Sequence, residues 1–291
     1  MTISGLEIAA CDVVDLYSPP RYSRLSGAFG LKKGFAADLM TGWDFNRRDD
    51  VSQLRSELDS EDPFLVVGTP PCNYFTQILH IMKAKLGPER MEEKKSEGRR
   101  HLRVACDAYM SQMNRGKFFL HEHPWGASSW DEDCIKRVLA QPGVRVVRGP
   151  MCKWYMHGED KDGNHGFIRK YTGFMTNLEE LAEILEDVCV NEKGDDELHH
   201  KHISIMGGKT KQAQRHPPAL VKAVLKAVVK AMRRLRHVSV LETKVAGPCP
   251  IADQFEGSES AVSQIQNQYW DDINGGFLDP KLVEEARATE M

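Results

Sequence analysis

The sequence predicts an α/β fold: a doubly wound, mostly parallel sheet with helices on both faces. Three observations carry this expectation. Short apolar, β-branched runs alternate with helix-like segments along most of the chain, the pattern of parallel strands joined by crossover helices. Hydrophobic residues make up 41% and charged residues 28% of the 291-residue chain, enough for a packed core in one sizeable domain. No run approaches the roughly 18 apolar residues of a membrane-spanning helix, so no membrane partner is expected.

The elements follow in order. "LEIAACDVVDLYS" reads as a buried strand ending near Asp15, and "GFAAD" as a second short strand end. "NRRDDVSQLRSEL" reads as a surface helix and "FLVVG" as another buried strand. "RRHLRVACDAYMSQMNRG" places Leu102, Ala105, Tyr109 and Met113 on one helical face, with Gly116 as its stop. "KFFLHEHP" is a strand, "DEDCIKRVLAQPG" a short helix and "VRVVRG" a strand. "HGEDKDGNHG" is a hairpin tip. "NLEELAEILEDV" is an acidic helix with Asn177 as its N-cap. "PPALVKAVLKAVVKAMRRLRHV" is amphipathic, with Leu220, Val221, Val224, Leu225, Val228, Val229 and Met232 on its apolar face and Pro217 and Pro218 at its start. Residues 1–240 therefore form the α/β domain. Residues 241–291 read as an acidic linker and tail with a short terminal helix.

The net charge of −3 hides an uneven distribution. Nine acids and one lysine lie between Leu178 and Glu197, then ten Lys/Arg and no acid between Lys201 and Val240. Such a basic block can touch phosphates, although a solvated helix face is often basic too. The seven cysteines are scattered and form no CxxC, so reduced thiols are expected rather than a disulfide framework. The opening residues carry no basic leader or signal-type cleavage site, which points to an intracellular protein of nucleus or cytoplasm. Cys152, His157 and His165, or His199, His200 and His202, lack paired metal-ligand spacing. Hairpin and loop positions account for them, and no metal is expected.

Chemistry concentrates at three strand ends: Asp15-Leu16-Tyr17-Ser18, Pro71-Cys72-Asn73-Tyr74-Phe75-Thr76, and Glu122-His123-Pro124. In doubly wound sheets ligands sit at the carboxyl ends of strands, so a thiol and a carboxylate on one rim make a possible nucleophile and acid/base pair. The prolines at 70 and 71 stiffen the loop that carries the thiol. A lone cysteine after a strand is more often just a small buried residue.

Taken in order, these pieces resemble the motif series of the cytosine-5 methyltransferases, over roughly residues 7 to 235. That family's nucleophile motif is Pro-Cys-Gln-x-Phe-Ser, and its Glu-Asn-Val motif matches Glu122-His123-Pro124. Its arginine-bearing strand falls at Phe167-Ile168-Arg169-Lys170, and "GGKTKQAQRHPPALVKAVLKA" resembles its closing motif. The resemblance implies a Rossmann-like, class I methyltransferase fold and S-adenosyl-L-methionine as cofactor. It implies nucleic acid as substrate, with DNA favoured over RNA. Cys72 would add to C6 of cytosine, Glu122 would hydrogen-bond N3, and Arg169 would stabilise charge at O2. A duplex base would have to be flipped out. Asp15, Tyr17, Ser18, Asp38, Asp44 and Pro70 would line the cofactor pocket. Lys170 and Thr172 would contact nucleic acid. Apart from the resemblance, the i, i+4 basic stripe that includes Lys222, Lys226 and Arg233 offers further contacts, although such a stripe is more often a solvated helix face.

Two departures stand out. The family's first motif is glycine-rich, whereas this chain has "DLYSPPRYSRLSG". The interval that holds the family's target-recognition domain is here short and acidic, which repels phosphate. "EHPW", "TGFMTN" and the terminal "YWDDINGGFLDPKLVEEARATEM" resemble segments of retroelement polyproteins. The alternative reading is therefore a catalytically lapsed module of such a polyprotein, with other segments of it as partners.

Overall fold

The computed structural model describes residues 10–191, 200–205 and 213–244, with only the backbone at 77–86 and 237–244. His199, the "GGKTKQ" part of the closing segment and the tail from residue 245 onward lie outside the described residues. All described residues up to Val240 belong to one compact unit.

The fold is α/β. Its elements are β1 (Val13–Leu16), α1 (Tyr22–Ser26), β2 (Lys33–Ala37), α2 (Arg48–Glu61), β3 (Leu65–Gly68), α3 (Gln77–Asn114), β4 (Phe118–Pro124), α4 (Asp133–Leu139), β5 (Arg145–Pro150), β6 (His157–Glu159), β7 (His165–Phe167), β8 (Tyr171–Thr176), α5 (Glu179–Leu185) and α6 (Pro218–Lys244). Six strands form one sheet in the order β2-β1-β3-β4-β8-β5, and β6 and β7 form a separate hairpin. Adjacent strands from β2 to β4 pair in parallel, while β8 is antiparallel to both β4 and β5. The reversal has a simple cause. After β5 the chain stays at the carboxyl rim through the hairpin, with no helix to carry it back, so it enters β8 from that rim.

Both faces of the sheet are covered. Val14, Leu16, Val66, Phe119 and Met175 join one buried cluster with Leu54 and Leu58 of α2, Leu102, Ala105 and Tyr109 of α3, and Ile135 and Val138 of α4. Their alternation partners Val13, Leu65, Val67, Leu120 and Phe174 are equally buried. In α6 the side chains of Leu220, Val221, Val224, Leu225 and Val228 are buried. Its Lys230 and Arg234 reach Glu183 and Glu180 of α5, at 3.4 and 2.6 Å.

Two local expectations fail. Asn177 does not cap α5, whose N-cap is Leu178. Its side chain instead bridges to β4: Oδ1 accepts from the Phe119 N–H at 3.0 Å and Nδ2 donates to the Lys117 carbonyl at 2.9 Å. Arg169 is not on a strand, because residues 168–170 form an irregular link between β7 and β8.

Candidate active site

The chain order reverses beside β1: β2 lies on one side and β3, next in sequence, on the other. In open α/β sheets such a switch point opens a crevice at the carboxyl ends of the strands. The ends of β1, β3 and β4 meet there, with Leu16 opposite Gly68 and Gly68 opposite His121.

Gly68 is required by packing. A Cβ there would stand 1.9 Å from the Tyr109 hydroxyl, which bonds His121 Nδ1 at 3.0 Å. Beyond it, the Thr69-Pro70-Pro71-Cys72 loop is clamped from β4. His123 Nε2 lies 2.9 Å from the Pro70 carbonyl, and Nδ1 lies 2.6 Å from Ser129 Oγ. A carbonyl only accepts, so Nε2 carries the proton and Nδ1 accepts from the Ser129 hydroxyl. Burial pushes the His123 pKa down to about 4, consistent with this neutral form. The Phe75 N–H closes a turn onto the Cys72 carbonyl at 3.0 Å. Cys72 is thus held by a turn on one side and a histidine clamp on the other.

Glu122 follows His121 on β4 and is buried. Its Oε1 lies 3.1 Å from Lys170 Nζ and its Oε2 3.7 Å from His216 Nε2. Burial acts to raise its pKa, but the Lys170 and His216 charges outweigh burial and hold it well below the usual carboxylate range. The Lys170 ammonium also donates to the Ala213 carbonyl at 3.2 Å. His216 Nδ1 lies 2.8 Å from the Tyr22 hydroxyl. Burial pushes the Cys72 thiol pKa up, Glu122 pushes it further, and Lys170 pulls it down. Thiol, carboxylate and ammonium therefore interact electrostatically at one rim.

Several expected site residues stand elsewhere than the sequence suggested. Lys170, not Arg169, is the cation against Glu122, so it is not free for phosphate. The Arg169 guanidinium lies 5.7 Å from the Tyr171 ring centre, and its charge acts on His202. Thr172 is fully buried within β8 and cannot meet nucleic acid. The Pro70 carbonyl is taken by His123. Asp15 is fully buried, and its carboxylate accepts from the N–H groups of Arg21, Tyr22 and Ser23 at 3.3, 3.1 and 2.9 Å. Burial raises its pKa against the pull of these donors. Asp15 thus shapes the loop into α1, and through Tyr22 and His216 it connects to Glu122. Ser18 is buried and donates to the Pro19 carbonyl at 3.0 Å.

Tyr17 turns the chain sharply after β1, with φ of 61° in the left-handed region. Its hydroxyl donates to the His101 carbonyl at 3.1 Å, and its ring packs on Phe45 at 4.8 Å. At the end of β2, Asp38 Oδ1 accepts from the Met40 N–H at 2.9 Å, and Leu39 and Met40 beside it are 74% and 81% exposed. Asp44 Oδ1 accepts from both the N–H and the side-chain amide of Asn46, at 3.0 and 3.1 Å. Lys222 is half-buried, whereas Lys226 and Arg233 are exposed on α6.

Sequence reasoning missed His123 and His216. His216 directly precedes the Pro217-Pro218 helix start, outside any regular element. No metal was expected from the sequence, and neither of the two sets weighed there, Cys152 with His157 and His165 or His199 with His200 and His202, is the set that the described residues bring together. Cys152 converges instead with Cys189, His200 and His202, whereas His157 and His165 lie exposed on the β6–β7 hairpin.

No protein-family model matches this chain, and no curated protein matches it. No helix among the described residues is long and apolar enough to cross a membrane.

Proposed function

We propose that this chain is a Rossmann-like enzyme that methylates C5 of cytosine in nucleic acid, with DNA favoured over RNA. The observation that carries the reading is that Cys72 sits on the loop after β3, next to the strand that carries Glu122 with its Lys170 and His216 partners, and that the Glu122 and Lys170 charges both act on the thiol. Cytosine C5 is not nucleophilic by itself. Addition of the Cys72 sulfur to C6 makes C5 electron-rich, and a proton shared with N3 favours that addition. N3 has no proton of its own. Glu122 therefore first takes one, from the Cys72 thiol or from the Lys170 and His216 donors beside it, and passes it to N3 as the sulfur adds. After methyl transfer the C5 proton leaves as the Cys72–C6 bond breaks. An entering base has to loosen the Lys170–Glu122 pair, which frees the ammonium to face the charge developing on the ring. Trp125, 43% exposed and directly after β4, offers a stacking face for a displaced base.

S-adenosyl-L-methionine, when bound, supplies the methyl group. The donor set at the end of β2 suits its adenosine part: Asp38 for ribose hydroxyls, and exposed Leu39 and Met40 as an apolar wall. Asp44, beyond it, is available for the adenine amine. Asp15 is excluded as a direct ligand by its three backbone bonds.

A mechanism-based trap tests this reading. Fluorine at C5 cannot leave as a proton does, so the Cys72–C6 bond persists after transfer. DNA and RNA containing 5-fluorocytosine are incubated with the protein and cofactor and run on denaturing gels. A shifted band that is lost in Cys72→Ser and kept in Cys106→Ser supports the reading. No adduct from protein that binds the cofactor overturns it and leaves the lapsed module of a polyprotein.

A further inference from the structure

A second cluster lies beside the Arg169–Lys170 link. Cys152 sits in the turn Met151–Trp154 after β5, Cys189 in the segment after α5, and His200 and His202 on extended chain alongside β7. The Phe167 N–H donates to the Lys201 carbonyl at 3.0 Å, and the Ile203 N–H donates to the Phe167 carbonyl at 2.9 Å. This pairing keeps the segment extended, so the two histidine rings leave from the same side.

The four ligand atoms all lie within 4.8 Å of one another. Cys152 Sγ is 3.5 Å from Cys189 Sγ. Cys189 Sγ is 3.5 Å from His200 Nε2 and 3.4 Å from His202 Nε2, and the two Nε2 atoms are 3.0 Å apart. Hydrogen bonding accounts poorly for this arrangement. Thiols are weak donors, and two facing imidazole nitrogens share at most one proton. A disulfide does not describe it either, because its sulfurs sit about 2.05 Å apart. A tetrahedral metal does. Bonds of about 2.3 Å to sulfur and about 2.0–2.1 Å to nitrogen put the ligand atoms roughly 3.3–3.8 Å from one another, which the three separations at Cys189 already match. The two Nε2 atoms need only part slightly and the longest separation close by about 1 Å.

We propose that Cys152, Cys189, His200 and His202 form a structural Zn²⁺ site. An S₂N₂ tetrahedral set selects zinc, and four protein ligands leave no open position for catalysis. Binding releases the two thiol protons to solvent, and two thiolates then balance the cation where both cysteines are buried. The site ties three otherwise separate segments together: the end of β5, the chain after α5, and the strand beside β7. It therefore holds the chain that pairs with Phe167, two residues before Arg169. The proposal is independent of methyl transfer and holds whether or not Cys72 is a nucleophile.

The test uses the full chain, expressed with zinc in the medium and purified under reducing conditions without chelator. Elemental analysis should give about one zinc per chain. Chelation should remove it and lower the melting temperature. Cobalt substituted for zinc should give the visible bands of a tetrahedral site together with thiolate-to-cobalt charge transfer. Cys189→Ser and His202→Ala should each bring zinc to near background. Should either variant fail to fold, the wild-type protein still decides. Zinc should shield Cys152 and Cys189 from a thiol reagent, and chelation should expose both while Cys72 reacts alike in the two states. Zinc far below stoichiometric with melting indifferent to chelator overturns the proposal. So does a Cys152–Cys189 disulfide peptide, or zinc content unchanged in the variants.

Discussion

Replacing Lys170 with methionine isolates the charge on which the rim depends. Removing one partner of a buried ion pair costs about 3–5 kcal/mol, because the other charge is left unpaired. Here the Lys170 side chain is 22% exposed and that of Glu122 10%, and His216 stays 3.7 Å from the second oxygen. Water and His216 therefore absorb part of the loss, and about 2 kcal/mol is expected at neutral pH. For a unit of this size that corresponds to about 4–8 °C in melting temperature. The sign with pH is specific. In the wild type, Glu122 is held below its unfolded value of about 4.3, so its stabilisation is complete above that pH and is lost only as pH falls through the lower folded value. In Lys170→Met the strongest opposing charge is gone, so burial, already the largest single influence, is opposed only by His216 and His123 and the folded value is expected to rise. The variant is then penalised at neutral pH and recovers as the carboxyl protonates. Scanning calorimetry of both proteins from pH 8 to pH 5 should show a gap that narrows toward pH 5, with Lys170→Arg closer to wild type throughout. A gap of constant size would mean that Lys170 acts through packing. No gap at any pH would refute the buried-pair account altogether.

Three further outcomes are expected. Gly68→Ala puts a methyl group against the Tyr109 hydroxyl and should lose about 1–3 kcal/mol in urea unfolding, with partial recovery on adding Tyr109→Phe. Alkylation of Cys72, followed by peptide mapping, should reach half-maximal rate at a pH above that of a free thiol, and Lys170→Met should move it higher still because the ammonium lowers that pKa. If the proposed nucleic-acid substrate binds at this rim, Trp125→Ala should weaken single-strand binding by about 1–3 kcal/mol without changing its salt slope, since stacking releases no counterions.

The strands β1 to β5 and the helices α2, α4 and α6 were legible because one periodicity governs each of them. The reversal of β8 was not, since it depends on the rim from which the chain enters rather than on its own apolar pattern. The exchange of Arg169 for Lys170 has a similar origin. On an irregular link no period of two decides which of two neighbouring cations faces the cleft. Asn177 carried a cap-like signal, but the Lys117 carbonyl just before β4 and the Phe119 N–H within it take both ends of its amide. His216, Cys189, His200 and His202 lie outside the regular helices and strands, so no local pattern encodes their positions. Cys72 and Glu122 could be singled out because one lies on the loop just past a short apolar strand and the other near the end of the next, and neighbouring parallel strands deliver their ends to one edge.

The loop after β1 shows how this site differs from a glycine-rich one. A bulky residue in the left-handed region costs on the order of 1–3 kcal/mol and persists only where its surroundings hold it. Tyr17 is held three times: its N–H donates to the Ala37 carbonyl at 2.8 Å, its carbonyl accepts from Thr69 Oγ1 at 2.9 Å, and its hydroxyl donates to the His101 carbonyl. Asp15 fastens the next turn through three N–H groups, and Pro19 and Pro20 stiffen the chain between. A ligand in this crevice therefore meets a rigid wall rather than a backbone able to close around it. The adaptable contacts lie at the end of β2, where Leu39 and Met40 are exposed beside Asp38. Affinity for a nucleoside-bearing ligand should accordingly depend on Asp38, Leu39 and Met40 more than on the first loop. An Asp38→Ala variant that bound S-adenosyl-L-methionine as tightly as wild type in calorimetric titration would contradict this division of roles.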